Sequence, residues 1–165
     1  MQKRHIGFEL SIYEDVSALS IEDHALVERA GKARATAYSP YSKFQVGAAV
    51  LMADGTIVTG SNQENASFPA GLCAEGAALF HAGSNFPEQR ILAIAVSASS
   101  QEYRLRSPAA PCGICRQAIA EYEQKQNAPI RIIMHAESTP IYICNAITDL
   151  LPLAFDSSFL HDSSS

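Results

Sequence analysis

The stretch FQVGAAVLMADGTIVT, residues 44–59, decides the fold. Phe44 to Met52 is an apolar, strand-like run, and Asp54-Gly55 is a tight-turn pair that leads into a second strand, Thr56 to Thr59. Upstream, Ser20 with Asp23 resembles a capping box. It opens a helix that carries Ala25, Leu26, Ala30, Ala33 and Ala37 to the turn at Ser39-Pro40. Downstream, Cys73 begins a helical stretch through Ala74, Ala77, Ala78, Leu79 and Phe80 that ends near Gly83. Ile91 to Ala98 then reads as a buried strand, being short, apolar and β-branched. Behind Pro111, whose fixed φ and missing N–H suit a helix start, Cys115, Ala118, Ile119 and Tyr122 recur at helical spacing. Glu121 and Lys125 add a favourable i,i+4 pair there. Ile130 to Met134 and Ile141 to Cys144 give two more strands, and a short helix over 147–151 precedes Pro152. A hairpin followed by alternating helices and strands predicts an α/β fold, a mixed five-stranded sheet covered by helices on both faces.

The 165 residues suit one domain, read as an extension over 1–18, a folded unit over 19–155 and a tail over 156–165 expected to be mobile. The net charge is −5, and beyond Lys3-Arg4 the cations Arg29, Lys32 and Arg34 are scattered. That balance argues against a nucleic-acid substrate, which demands phosphate neutralisation, and suits a small neutral one. No stretch reaches the ~18 apolar residues of a membrane span. Met1 to His5, followed by Glu9, Glu14 and Asp15, does not read as a signal peptide. The expected compartment is the cytoplasm, where closely spaced cysteines point to metal or catalysis rather than disulfides.

The chemistry lies in Cys73-Ala74-Glu75 and, further on, Pro111-Cys112-Gly113-Ile114-Cys115. Three thiolates can hold a zinc ion and leave its fourth tetrahedral position open, and a nearby glutamate that is not a ligand can move protons. Both ligand groups start helices, where the partial positive charge of the helix end stabilises thiolates. Cys112 and Cys115 alone would equally fit a redox pair or half of a structural zinc site, and Cys73 with Glu75 tips the balance to catalysis. Cys144, between Ile143 and Asn145 on an apolar strand, reads as a small buried hydrophobe rather than a fourth ligand. His24 and His81 sit on predicted helices and are not needed as ligands.

Cys-x-Glu followed by Pro-Cys-x-x-Cys is the signature of zinc-dependent deaminases. From Tyr38 to Phe155 the chain resembles the small homotetrameric cytidine deaminases. The landmarks are PYSKFQVGAAV at 40–50, NQENASFPAG at 62–71, CAE at 73–75, PCGICRQ at 111–117 and LLPLAF at 150–155. The resemblance implies a three-layer α/β/α sandwich and one Zn²⁺ per chain on Cys73, Cys112 and Cys115, with Glu75 as proton shuttle. It further implies that Asn62 and Glu64 hold the ribose 3′-hydroxyl, that Phe44 flanks the base and that Ala74 contacts the substrate. Ala66 and Phe68 would reach a neighbouring subunit's site, and Phe155 would come from a third, in a homotetramer with shared active sites. The implied reaction is deamination of cytidine and deoxycytidine to uridine and deoxyuridine with release of ammonia, as in pyrimidine salvage, with no nucleic acid or membrane partner.

Two positions depart from the family pattern. Gly76 stands where the family usually has an arginine that donates to the zinc thiolates, and Phe68 stands where tyrosine is usual. Arg116, directly after Cys115, is the nearest remaining cation in sequence. Two alternatives follow: a deaminase of another aminated heterocycle, or a non-catalytic, zinc-stabilised relative. Only Gly76 favours the latter, and Glu75, useless to a structural zinc, opposes it.

Overall fold

Residues 44–59 fold into the hairpin their sequence predicts. In the computed structural model, which describes residues 1–160, β2 (Phe44–Met52) turns through Ala53-Asp54-Gly55 into β3 (Ile57–Ser61). Gly55 takes φ +88°, a conformation open to glycine at little cost. Met52 N–H donates to Thr56 O at 2.8 Å, and Asp54 Oδ1 accepts from Thr56 N–H at 2.9 Å, so the turn closes on its own hydrogen bonds.

The other elements are β1 (Ser11–Tyr13), α1 (Ile21–Ala33), α2 (Ala74–Asn85), β4 (Ile91–Ser100), α3 (Gly113–Gln126), β5 (Arg131–Ala136) and β6 (Ile141–Cys144). They build one sheet in the order β1-β6-β5-β4-β2-β3. Only β4 and β5 run parallel; every other neighbouring pair is antiparallel.

The sheet therefore has six strands, not the five expected from sequence. The sixth comes from the N-terminal extension, where Ser11–Tyr13 pairs with the open edge of β6 in the register Ile12↔Tyr142. Three residues are too few to print a period-2 pattern, but they satisfy an edge that would otherwise expose unpaired backbone.

Side chains alternate across β2, and that alternation makes the layers. Ala49 and Leu51 face α1, packing with Leu26, Val27 and Ala30. Ala48, Val50 and Met52 face the other way, towards Ala78, Leu79 and Ala82 of α2 and Ile119 of α3. The outcome is a three-layer α/β/α sandwich with α1 on one face of the sheet and α2 with α3 on the other.

Ser20 caps α1 by accepting from Asp23 N–H at 3.1 Å. The return half of the expected capping box does not form. The Asp23 carboxylate turns instead to Arg131 on β5, in a bidentate pair at 2.7 and 2.9 Å that ties helix to sheet. After Ala33 the chain tightens into a 3₁₀ turn, Arg34–Thr36. At the far end, Ser157–Phe159 forms another 3₁₀ turn, and the part of the expected mobile tail over 161–165 lies outside the described residues. Among the described residues no helix is long and apolar enough to cross a membrane.

Candidate active site

Cys73 is the N-cap of α2 and Cys112 the N-cap of α3, with Cys115 one turn further in. Neither N-cap side chain accepts a hydrogen bond from its helix, so both sulfurs are free to turn outward. The three Sγ atoms lie within 4.8 Å of one another. Cys73 and Cys112 are 3.9 Å apart, Cys112 and Cys115 3.6 Å. A tetrahedral zinc with Zn–S near 2.3 Å spaces its sulfurs about 3.8 Å apart, so the cluster already has the dimensions of a zinc site. Cys144 is buried in β6 and does not belong to the cluster.

The thiols differ in acidity. A hydrogen bond from Cys115 pulls Cys73 down to about 6, and that same bond, with burial, pushes Cys115 up. Beside them Glu75 is only 6% exposed. Burial raises its pKa, and hydrogen bonds from its own amide and from Cys115 only partly oppose this. A carboxyl group raised in this way can hold a proton and give it up, which is what proton-shuttle chemistry requires.

α2 places Glu75 because it lies almost on the backbone of β3. A Cβ at Gly60 would come within 2.5 Å of Ala78 N and 2.8 Å of Ala74 O, so only glycine permits the contact.

A groove of about 620 Å³ opens next to Cys73, and Tyr41, Asn62, Glu64, Phe68 and Ile114 line it. Cys73, Asn62, Glu64 and Phe68 thus share one cavity. Asn62 Oδ1 accepts from Val46 N–H at 2.8 Å, and its Nδ2 donates to Phe44 O at 2.9 Å. Glu64 accepts from Tyr41 N–H at 2.9 Å, from Ser42 N–H at 3.3 Å and from the Ser42 hydroxyl. These bonds, the Ser42 hydroxyl foremost, lower the Glu64 pKa and keep it ionised. Asn62 therefore braces the start of β2 at Phe44 and Glu64 the loop just before it, a duty the sequence did not reveal, and both retain free lone pairs for a ligand.

The remaining expected contacts are placed differently. Phe44 is half-buried, and Ala74 has no accessible surface. Ala66 is exposed and Phe68 is 78% exposed, its ring edge-on to Tyr41 at 6.1 Å. Phe155 does not line this groove. It is 57% exposed, stacked on Phe159 at 5.5 Å, with its carbonyl held by Gln117 Nε2 at 2.8 Å. Tyr41, Leu72 and Ile114 line the groove without having been foreseen. Tyr41 and Ile114 lie within the landmark stretches 40–50 and 111–117, and Leu72 between two others, but nothing in sequence assigned these side chains to a groove wall.

Residues 20–131 match the family described as "Cytidine and deoxycytidylate deaminase zinc-binding region". Cytidine deaminase from Halalkalibacterium halodurans is 39% identical over 145 residues, which cover 83% of this chain and 96% of the relative. The chain belongs to the cytidine deaminase family. Among solved structures, cytidine deaminase from Burkholderia pseudomallei superposes with a TM-score of 0.69 at 38% identity, covering 80% of this chain and 98% of that one. The Mycobacterium tuberculosis cytidine deaminase gives 0.63 at 35% identity, over 83% of this chain and 99% of that one.

The zinc-binding region of a cytidine deaminase thus coincides with the stretch holding Cys73, Cys112 and Cys115, whose spacing suits the ion. Gly76 is buried within the first turn of α2, with Leu72 and Phe80 packed over it. Arg116 does not replace an arginine at 76. Its Nε donates to Pro111 O and its Nη1 to Leu150 O, both at 2.7 Å.

Proposed function

We propose that the chain hydrolyses cytidine and deoxycytidine to uridine and deoxyuridine, releasing ammonia, as a cytoplasmic homotetramer with shared active sites. The observation that carries this reading is the buried carboxyl of Glu75 beside three sulfurs at zinc-site spacing. Zinc on Cys73, Cys112 and Cys115 supplies a Lewis acid that makes water a nucleophile at neutral pH.

Glu75 does the proton work. It takes a proton from the attacking water and delivers it to N3 of the cytosine ring while C4 gains oxygen. It then takes the proton of the new C4 hydroxyl and passes it to the amine, which leaves as ammonia when the C–N bond breaks and the C4 carbonyl forms. Its raised pKa keeps the protonated form accessible at each delivery. Asn62 and Glu64 use their remaining acceptor and donor capacity on the ribose 3′-hydroxyl, and Phe44, braced by Asn62, flanks the base.

Ala66, Phe68 and Phe155 complete sites on neighbouring subunits. In support, Phe68 at 78% and Ile114 at 81% exposure leave apolar surface around the groove mouth that a single chain does not cover. An oligomer would bury it.

The test is loss of the cytidine ultraviolet band on adding purified protein, repeated with deoxycytidine, cytosine and a single-stranded oligonucleotide. Both nucleosides should react, cytosine should be far poorer because it forgoes the binding energy of the sugar, and the oligonucleotide should be inert. Efficient turnover of the oligonucleotide, or none of either nucleoside by zinc-loaded protein, overturns the reading.

A further inference from the structure

The segment over 147–157 lies along α3, and side chains from one face of that helix hold it in sequence. Glu123 Oε1 accepts from Ile147 N–H at 2.9 Å, Arg116 Nη1 donates to Leu150 O at 2.7 Å, and Gln117 Nε2 donates to Phe155 O at 2.8 Å. Gln124 Nε2 then donates to Ser157 Oγ at 2.6 Å. Positions 116, 117, 123 and 124 fall on a common face because seven residues are close to two helical turns. The start of this same helix carries Cys112 and Cys115. Arg116 joins the two functions, since its Nε donates to Pro111 O at 2.7 Å, immediately before Cys112.

We infer that Arg116 is a positioning residue that makes the metal-bearing turn and the Phe155-bearing segment one mechanical unit. The assignment rests on the proposed shared site for what Phe155 does, but not for the coupling itself. Arginine suits the task. Its planar fork presents two N–H groups in fixed divergence, so a single side chain can hold two carbonyls from chain segments 39 positions apart (Pro111 and Leu150). Both bonds are charge-assisted and short. Because the thiols already stand at zinc-site spacing, metal there would restrain the Pro111–Cys112 backbone rather than move it, and the clamp passes that restraint to Leu150 and on towards Phe155. Loading of one site would set the wall that the chain offers to a neighbour.

Hydrogen exchange on the full-length protein tests the coupling without reference to substrate. In the parent chain, stripping zinc with a chelator should speed exchange at the Leu150 and Leu151 amides and at those after Pro152 up to Phe155. Arg116→Met, which keeps the apolar stem, should show fast exchange there with or without zinc, and its zinc affinity in chelator competition should fall by about 10–100-fold, as for other outer-sphere partners. Arg116→Lys has one ammonium and should recover only part of either effect. Gln117→Ala should loosen the region around Phe155 while holding zinc as tightly as the parent. Parent exchange at 150–155 that ignores zinc overturns the inference without needing any variant to fold. So does an Arg116→Met protein with parental zinc affinity. Neither result bears on whether cytidine is turned over, so failure here and failure of the proposed reaction are separate outcomes.

Discussion

Gly60 on β3 sits against Ala78 on α2 so closely that a methyl group at 60 would lie 2.5 Å from the Ala78 nitrogen. Backbone faces backbone there, with Ala74 O, one turn back on the same helix, at 2.8 Å, so no side-chain rotation can relieve the clash. The contact fixes the height of α2 above the sheet, and with it Cys73 and Glu75 at the helix start. Gly60→Ala should cost about 1–3 kcal/mol, the usual range for overpacking. At roughly 2–4 °C per kcal/mol for a chain of this size, the melting temperature should fall measurably. Turnover should fall further than the residual folded fraction explains, because the helix that aims Glu75 has moved. A variant with parental melting temperature and kcat would show that α2 is not set by this contact.

Metal binding and proton transfer separate cleanly by residue. Glu75→Gln should retain zinc by elemental analysis, about one ion per chain, while kcat falls by about 10²–10⁴-fold or more, since a general acid-base group serving several steps is lost. Cys115→Ser should lose the ion. Cys144→Ser should keep it, because Cys144 faces the core opposite Ile132 on the other strand, away from the sulfur cluster. Burying a hydroxyl at that site should instead lower stability, by about 1–3 kcal/mol in a denaturant titration.

His135 should give the folded state a pH dependence. Burial lowers its pKa, and Arg34 nearby lowers it further against the opposing pull of Glu137. Its Nδ1 lies 3.1 Å from Ser97 Oγ, a side chain with no accessible surface. Unfolded, the ring titrates near 6.5. In the window beneath about 6.5 the unfolded chain binds a proton that the folded chain resists, so stability is fully present above that value and is lost as pH falls. Urea midpoints at about pH 7.5 and about pH 5.5 should differ more for the parent than for His135→Asn, which can still pair with Ser97. Equal differences would mean that other groups carry the acid sensitivity.

Strand limits at Phe44–Met52 and Ile141–Cys144 were legible to the residue, because each is an apolar run bounded by turn chemistry. The thiol cluster was legible too, since helix starts after Cys73 and Cys112 follow from local signals alone. What escaped was non-local. Asp23 looked like a capping residue until Arg131, far along the chain, offered a stronger partner. Asn62 and Glu64 were matched to a ligand by family pattern, whereas their bonds to Phe44 O and the Tyr41 and Ser42 amides depend on the hairpin folding back on the loop before it. Arg116 was a free cation in sequence and is a two-carbonyl clamp in the fold.

That clamp sharpens the expectation for position 76. Three thiolates on Zn²⁺ carry a formal charge of −1, which weakens the ion as a Lewis acid, and an arginine donating to the sulfurs would offset it through charge-assisted hydrogen bonds. Arg116 is held by Pro111 O and Leu150 O, so the helix N-termini at Cys73 and Cys112 are left to do that work. The rate should therefore be lower, and activity should climb to a higher pH, than with an arginine at 76. The site has room to be restored. A Cβ on Gly76 meets the Leu72 Cδ1 methyl at 3.1 Å and the Phe80 ring at 3.5 Å. Both neighbours are exposed side chains able to rotate outward, unlike the backbone that surrounds Gly60. Gly76→Arg should raise kcat, tighten zinc in chelator competition and move the rising limb of the pH–rate profile downward. Gly76→Met, similar in length but uncharged, should crowd Leu72 equally and do none of these. If the arginine variant folds, holds zinc and keeps the parental profile, the thiolate charge is already offset elsewhere.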